Sequence, residues 1–243
     1  VAILTNISPD HLDRHGGMQG YVAAKARIFA NPAEGGVALI GMDDPTFLGI
    51  AGAASQRWKV IPVSTSGAAE SLDAGWRVGA PIVRGSDSEL AILSGPDSTP
   101  IHVADLSRAL SLPGRHNAQN AAFALMAALA LGVPQEIAVE GLLTFPGLAH
   151  RMETVGQLGS VRFINDSKAT NADAARQALS SYRRSFWIAG GRAKAGGIDD
   201  LEDLFPRVIE AFLIGEAAGP FAARLGDTPH RISGDMATAV RQA

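Results

Sequence analysis

The sequence contains no cysteine. That absence excludes a disulfide scaffold, a thiolate zinc site and a cysteine nucleophile, and it suits a reducing compartment such as the cytoplasm. Long apolar runs are missing as well. The longest, Ala121 to Val133, is mostly alanine and too short to span a bilayer, so no membrane insertion is expected. No charged segment followed by an apolar one opens the chain as a secretion signal would. Neither sign of charge dominates: a formal net charge of −3 gives no basic field, which disfavours a nucleic-acid partner and still permits a local anion site. Two glycine fingerprints are also absent. No GxGxxG follows an apolar run, which disfavours NAD and FAD, and no lysine precedes Ser or Thr, so no GxxxxGK(S/T) phosphate loop is present.

What remains is an ordinary globular composition, 47% hydrophobic and 19% charged, over 243 residues, enough for one large domain or two ordinary ones. Strand-like Val1–Leu4, helical Met18–Phe29, strand-like Val37–Ile40, a helix near Phe47–Ala54 and a strand at Lys59–Val63 alternate, which predicts parallel α/β architecture. Between Ser64 and Leu112, short pieces (Trp76–Val78, Pro81–Val83, Leu90–Leu93, Ile101–Val103) separated by Gly, Ser, Asp and Pro predict an antiparallel appendage. Helical spacing returns at Arg115–Leu131 and Pro134–Leu143, and Thr144–Leu148 reads as a connector between domains. Beyond it, Glu153–Leu158 and Ser160–Ile164 predict a hairpin around Gly159. Helices at Ala172–Ser181, Leu201–Ile209 and Ala217–Leu225 then alternate with strands at Phe186–Ala189, Ala211–Ile214 and His230–Ile232, a Rossmann-like pattern. The chain opens inside an apolar strand without methionine and stops at Ala243 in a helical pattern, as a fragment of a longer protein would.

Five constellations could carry chemistry. Lys25 falls within an apolar arc made by Met18, Tyr21, Ala24, Ile28 and Phe29 at helical spacing. Either its stem packs while the ammonium reaches water, or the amine is desolvated and fit for covalent chemistry. Asp10-His11-Leu12-Asp13-Arg14 follows the first strand, where open α/β sheets bind ligands; it could hold a divalent metal or form a solvated capping loop. Asn117 and Asn120, three apart near a helix start, share a face and suit a planar polar ligand such as a nucleobase. Asn165-Asp166-Ser167-Lys168-Ala169-Thr170-Asn171 joins a strand to a helix and carries more polar groups than a helix cap needs. Gly190–Gly197, with Arg192 and Lys194, follows the next strand. If one parallel sheet carries both loops, they share an edge suited to an anionic substrate.

Together these segments resemble the Mur ligase family of ATP-dependent amide-forming enzymes, in order from about Val1 to Arg241. Asn6–Arg14, the Lys25 segment, Leu112–Asn117 and His150–Glu153 follow patterns shared across the family, and Asn165–Asn171 resembles the branch that adds D-glutamate. The resemblance implies residues 1–147 as the later part of an ATP-binding central domain and residues 148–243 as a Rossmann-like C-terminal domain. It implies a cytoplasmic, monomeric enzyme of peptidoglycan precursor synthesis, needed for cell shape and division. ATP would phosphorylate the carboxylate of UDP-N-acetylmuramoyl-L-alanine, and the amine of D-glutamate would displace phosphate. By the same resemblance, His11 and an N-carboxylated Lys25 ligate Mg²⁺, and Asn117 and Asn120 meet adenine. Asp166 meets the ribose and Arg151 the terminal phosphate, while Lys168, Thr170 and Lys194 hold D-glutamate or the acyl phosphate. Lys25, His11 and Lys168 are the expected catalytic residues.

The departures bear on activity. The family's phosphate loop, its uridine-nucleotide domain and the final strands with a serine and a phenylalanine have no counterpart here, and the Lys194 loop is looser than the family pattern. The isolated chain is therefore expected to be inactive, with Lys25 carboxylated partly or not at all. The competing expectations are a non-catalytic nucleotide- or anion-binding module, and another Mur or folylpolyglutamate-type ligase.

Overall fold

Apolar residues in the first half of the chain alternate between two helical layers. In β2 (Val37–Gly41), Ala38 and Ile40 join Ala2 and Leu4 of β1 (Ala2–Leu4) in one core. Phe47, Ala51 and Ala54 of α2 (Thr46–Ser55) close over them, beside Met18, Tyr21 and Val22 of α1 (Met18–Ala26). The intervening Leu39 belongs to the opposite core, with Ile61 and Val63 of β3 (Lys59–Ser64) and Ala118, Ala121 and Leu125 of α3 (Arg115–Ala130). A period of two along strands covered on both faces produces this partition.

The structure is a computed structural model, and it describes residues 1–8, 12–44, 46–65, 82–85, 89–93, 101–192 and 196–243. The chain divides into two compact units, Val1–Pro146 and Gly147–Ala243. The first unit holds a six-stranded sheet in sequential order. β1, β2, β3 and β4 (Ile82–Gly85) run parallel, while β5 (Glu89–Leu93) and β6 (Ile101–Asp105) continue the same sheet antiparallel. The antiparallel strands thus extend the parallel sheet beyond β4. The expected strand at Trp76–Val78 lies outside the described residues. Helix α4 (Gln135–Leu143) packs Leu142 with α3.

Two local expectations change. Lys25 is exposed rather than held in an apolar arc: Ile28 is 48% exposed while Phe29 is buried. The helix tightens into a 3-10 turn at Arg27–Phe29, which rotates Phe29 inward against Trp58, whose indole N–H donates to the Phe29 carbonyl at 2.8 Å.

In the second unit, β7 (Glu153–Leu158) and β8 (Val161–Asn165) form a two-stranded antiparallel hairpin. β9 (Ser185–Gly190), β10 (Val208–Ile214) and β11 (His230–Gly234) form a separate parallel sheet. β10 lies at its centre, with Ala211, Phe212 and Leu213 fully buried. Leu179 of α5 (Ala172–Ser181) and Phe221 and Leu225 of α6 (Ala218–Leu225) pack on it, and α7 (Met236–Gln242) ends the chain. The helix expected at Leu201–Ile209 is instead a 3-10 segment, Asp199–Arg207, that passes directly into β10. Pro206 lacks the N–H an α-helical ladder needs there. Among the described residues no helix is long and apolar enough to cross a membrane.

Candidate functional site

In the first unit the described candidate residues fall in the last turn of α1, with Lys25, and at the start of α3, with Asn117 and Asn120. The chain leaving β1 crosses close over the end of β2, because a Cβ at Gly41 would stand 2.0 Å from the Thr5 carbonyl oxygen. This crossing begins the Asn6–Arg14 loop. His11, with Pro9 and Asp10, lies outside the described residues. Lys25, exposed, holds its ammonium 5.2 Å from the centre of the Tyr21 ring, a cation–π distance. As an ammonium it would repel Mg²⁺. Only as a carbamate, which replaces the positive charge with oxygen donors, does it fit that metal. Among the described residues no three His, Cys, Asp or Glu side chains are grouped to hold a metal ion.

α3 starts from Gly114, whose φ of 85° and missing side chain leave the first turn without a side-chain cap. The Asn117 side-chain amide donates to the Pro113 carbonyl at 2.9 Å, and the Asn120 amide reaches the Asn117 side-chain oxygen at 3.5 Å. The two expected base-contacting amides are therefore brought together, one orienting the other.

Beside them, Asp43, just past the end of β2, gathers donors from the end of β3 and from α3. Its carboxylate accepts from the Ser64 hydroxyl at 2.6 Å, the Thr65 amide at 3.1 Å and the Thr65 hydroxyl at 2.9 Å. It also accepts from the Gln119 side-chain amide at 3.0 Å. Ser64 is 1% exposed, the one polar residue in the buried core of the described chain. Sequence reasoning singled out neither Asp43 nor Gln119. They are 76 positions apart, so no local pattern signals the contact.

In the second unit the connector after Gly147 and the turn between β8 and α5 are clamped into one cradle. His150 and Met152 both have left-handed backbones, with φ of 66° and 48°, uncommon for side-chain-bearing residues. Six contacts hold this turn. The Met152 amide donates to Asp166 Oδ1 at 3.0 Å, the Lys168 amide to the His150 carbonyl at 3.1 Å, and the His150 amide to Glu153 Oε2 at 2.8 Å. The Asn165 amide lies 2.8 Å from His150 Nδ1 and 3.3 Å from the same Glu153 oxygen, while its own oxygen accepts from the Ser167 amide at 3.2 Å. The strained turn thus presents Arg151 to solvent beside the Asp166–Thr170 segment. Arg151, Lys168 and Thr170 are exposed and Asp166 half-buried, as a site open to a soluble anionic ligand requires. Burial pushes the Tyr182 phenol up; Arg162, 5.3 Å from its ring centre, opposes this and the Asp166 carboxylate adds to it.

Asn171 caps α5, accepting from the Ala174 amide at 2.8 Å, so the capping reading of this segment applies to Asn171. The expected common edge does not form as reasoned. β8 pairs with β7 in its own hairpin, while the Gly190–Gly197 loop leaves the parallel sheet. Arg192 there pairs with Glu216 at 3.3 Å, and Lys194 lies outside the described residues. The Glu153–Asn165 clamp was not foreseen from the sequence, although both residues stand inside motifs already singled out.

Residues 1–128 match the Mur ligase middle domain family. A UDP-N-acetylmuramoylalanine--D-glutamate ligase of Caulobacter vibrioides (strain NA1000 / CB15N) is 55% identical over 245 residues, covering 99% of this chain and 49% of the relative. The protein of the same name from Phenylobacterium zucineum (strain HLK1) is 54% identical over 246 residues, covering 100% and 50%. The chain spans about half the length of the curated relatives it matches. Among solved structures, MurF from Acinetobacter baumannii superposes with a TM-score of 0.65 at 24% identity, covering 99% of this chain and 52% of that one. MurC from Thermotoga maritima gives 0.65 at 16%, covering 96% and 50%. At those identities the structural likeness speaks to the fold alone.

Proposed function

Since this chain belongs to the Mur ligase family, we propose that it is part of the ATP-dependent ligase joining D-glutamate to UDP-N-acetylmuramoyl-L-alanine. The observation that carries this reading is identity of 54–55% along essentially the whole chain to relatives bearing that name. The cradle of the second unit supports it. One hydrogen-bonded turn holds together the residue proposed for phosphate, Arg151, the one for ribose, Asp166, and two for the amino acid, Lys168 and Thr170.

In this reading Asn117 and Asn120 meet the adenine edge, and Asp166 accepts from the ribose hydroxyls through Oδ2, since the Met152 amide occupies Oδ1. Arg151 stabilises charge on the terminal phosphoryl group as it passes to the carboxylate of UDP-N-acetylmuramoyl-L-alanine, forming an acyl phosphate and ADP. Lys168, Thr170 and Lys194 bind D-glutamate and orient its amine on the acyl carbon. The C–N bond forms, the C–O bond to phosphate breaks, and the ammonium's protons pass to solvent or phosphate. His11 and the carbamate of Lys25 would hold Mg²⁺, which supplies charge neutralisation on the phosphates. We place the enzyme in the cytoplasm as a monomer.

The sequence holds no GxxxxGK(S/T) loop. Residues 1–243 alone are therefore expected to bind nucleotide weakly and to complete no ligation. Steady-state kinetics of the full-length protein test the residue roles. Asp166→Ala is expected to raise KM for ATP and Lys168→Ala KM for D-glutamate, each with little change in the other constant. Interchanged effects would refute the assignment.

A further inference from the structure

Helix α3 is tied to the sheet by a contact that the proposed chemistry does not use. Gln119 sits between the two proposed adenine-contacting asparagines in the sequence. At 100° per residue its side chain leaves the helix well away from both. There it donates to Asp43 at 3.0 Å. The carboxylate is held in turn by the end of β3, through the fully buried Ser64 and through Thr65. It is therefore a fixed acceptor and not a mobile surface charge, and a hydrogen bond to it is charge-assisted. The first turn it steadies has no side-chain cap, because Gly114 stands at the N-cap.

We propose that Asp43 is a positioning residue for nucleotide recognition: acting through Gln119, it sets the first turns of α3 and with them the amides of Asn117 and Asn120. The inference rests on the reading that those amides meet the adenine. The bland alternative is that Asp43 only staples β2 to β3, through Ser64 and Thr65. Changes at Gln119 separate the two, because they leave that staple intact.

The test uses the full-length protein and four forms of position 119. Gln119→Ala is expected to raise KM for ATP about fivefold and to narrow the preference for ATP over GTP, with kcat and KM for D-glutamate unchanged within about twofold. Gln119→Glu, which sets carboxylate against carboxylate, raises KM for ATP further. Gln119→Lys restores a donor and stays near wild type. Calorimetric ATP binding to the same proteins should follow the same ranking. A wild-type KM and binding constant for ATP in both the Ala and Glu variants would overturn the proposal. If the Glu variant fails to fold, the Ala and Lys variants must separate in ATP affinity, and their coincidence would overturn it equally. A full-length protein that binds ATP with this ranking but performs no ligation would refute the proposed function and leave the positioning role standing.

Discussion

Gly190→Ala should unfold the second unit more readily than any surface change in it. Gly190 closes β9 opposite Ile214, the last residue of β10, with a φ of 144° that L side chains rarely adopt. A Cβ there would stand 1.9 Å from the Ile214 carbonyl oxygen, 2.8 Å from its carbon and 2.9 Å from its nitrogen. All three are backbone atoms of the central strand, so no side-chain rotation relieves the clash. Backbone strain of about 1–3 kcal/mol and overpacking of about 1–3 kcal/mol together predict a loss of roughly 2–6 kcal/mol. A domain has only about 5–15 kcal/mol in total. At about 4–8 °C per kcal/mol for a domain of this size, the second unit's melting transition should fall by roughly 10 °C or more. Hydrogen exchange read peptide by peptide localises the effect: protection should drop in β9 and β10 and stay unchanged in β1–β3. Gly219→Ala, inside α6 with nothing within 4 Å of the added carbon, is the control. It should be neutral or stabilising by up to about 1 kcal/mol. A Gly190→Ala protein with wild-type midpoint and protection would refute the reasoning.

Asn165→Ala removes the bridge between His150, Glu153 and the Ser167 amide, loosening the turn that presents Arg151 and Lys168 together. In the full-length enzyme KM for ATP and for D-glutamate should rise together, and a change in one alone would contradict a shared cradle. Asp235 caps α7, and hydrogen bonds from the Thr238 amide and then its hydroxyl hold its carboxyl below the usual carboxylate range. A depressed folded pKa contributes stability above the unfolded pKa and loses it as pH falls through the folded one. Thermal midpoints should therefore drop in that acid range more steeply for wild type than for Asp235→Asn; identical slopes would count against the cap. Lys25, exposed in the described chain, should show little or no carbamate signal by ¹³C NMR of the isolated chain in labelled bicarbonate without metal, and a full signal would contradict that expectation.

Alternation of strand and helix from β1 to β3 was legible because each element carries its own period and covers both faces of one sheet. The hairpin at Glu153–Asn165 was legible for the same local reason, with Gly159 at its turn. Other features were not. Leu201, Leu204, Phe205 and Val208 satisfy helical spacing, yet Pro206 excludes the α ladder and the same apolar face is buried by a 3-10 segment and then a strand. The apolar arc around Lys25 was drawn at constant pitch, and the 3-10 turn at Arg27–Phe29 breaks that pitch, turning Phe29 in and leaving Ile28 exposed. The Asp43–Gln119 contact and the separation of β8 from the parallel sheet depend on pairing over distance, which a local window does not contain. At the candidate site, the polar richness of Asn165–Thr170 was visible in the sequence. The two left-handed residues that present Arg151 beside it were not, since neither His150 nor Met152 announces a positive φ.

The most direct test of the central claim is phosphate release by the purified full-length protein with ATP, omitting each co-substrate in turn. Release should require UDP-N-acetylmuramoyl-L-alanine and D-glutamate together, and meso-diaminopimelate or L-lysine should not replace D-glutamate. Release sustained by either of those amino acids, or none with D-glutamate present, would contradict it.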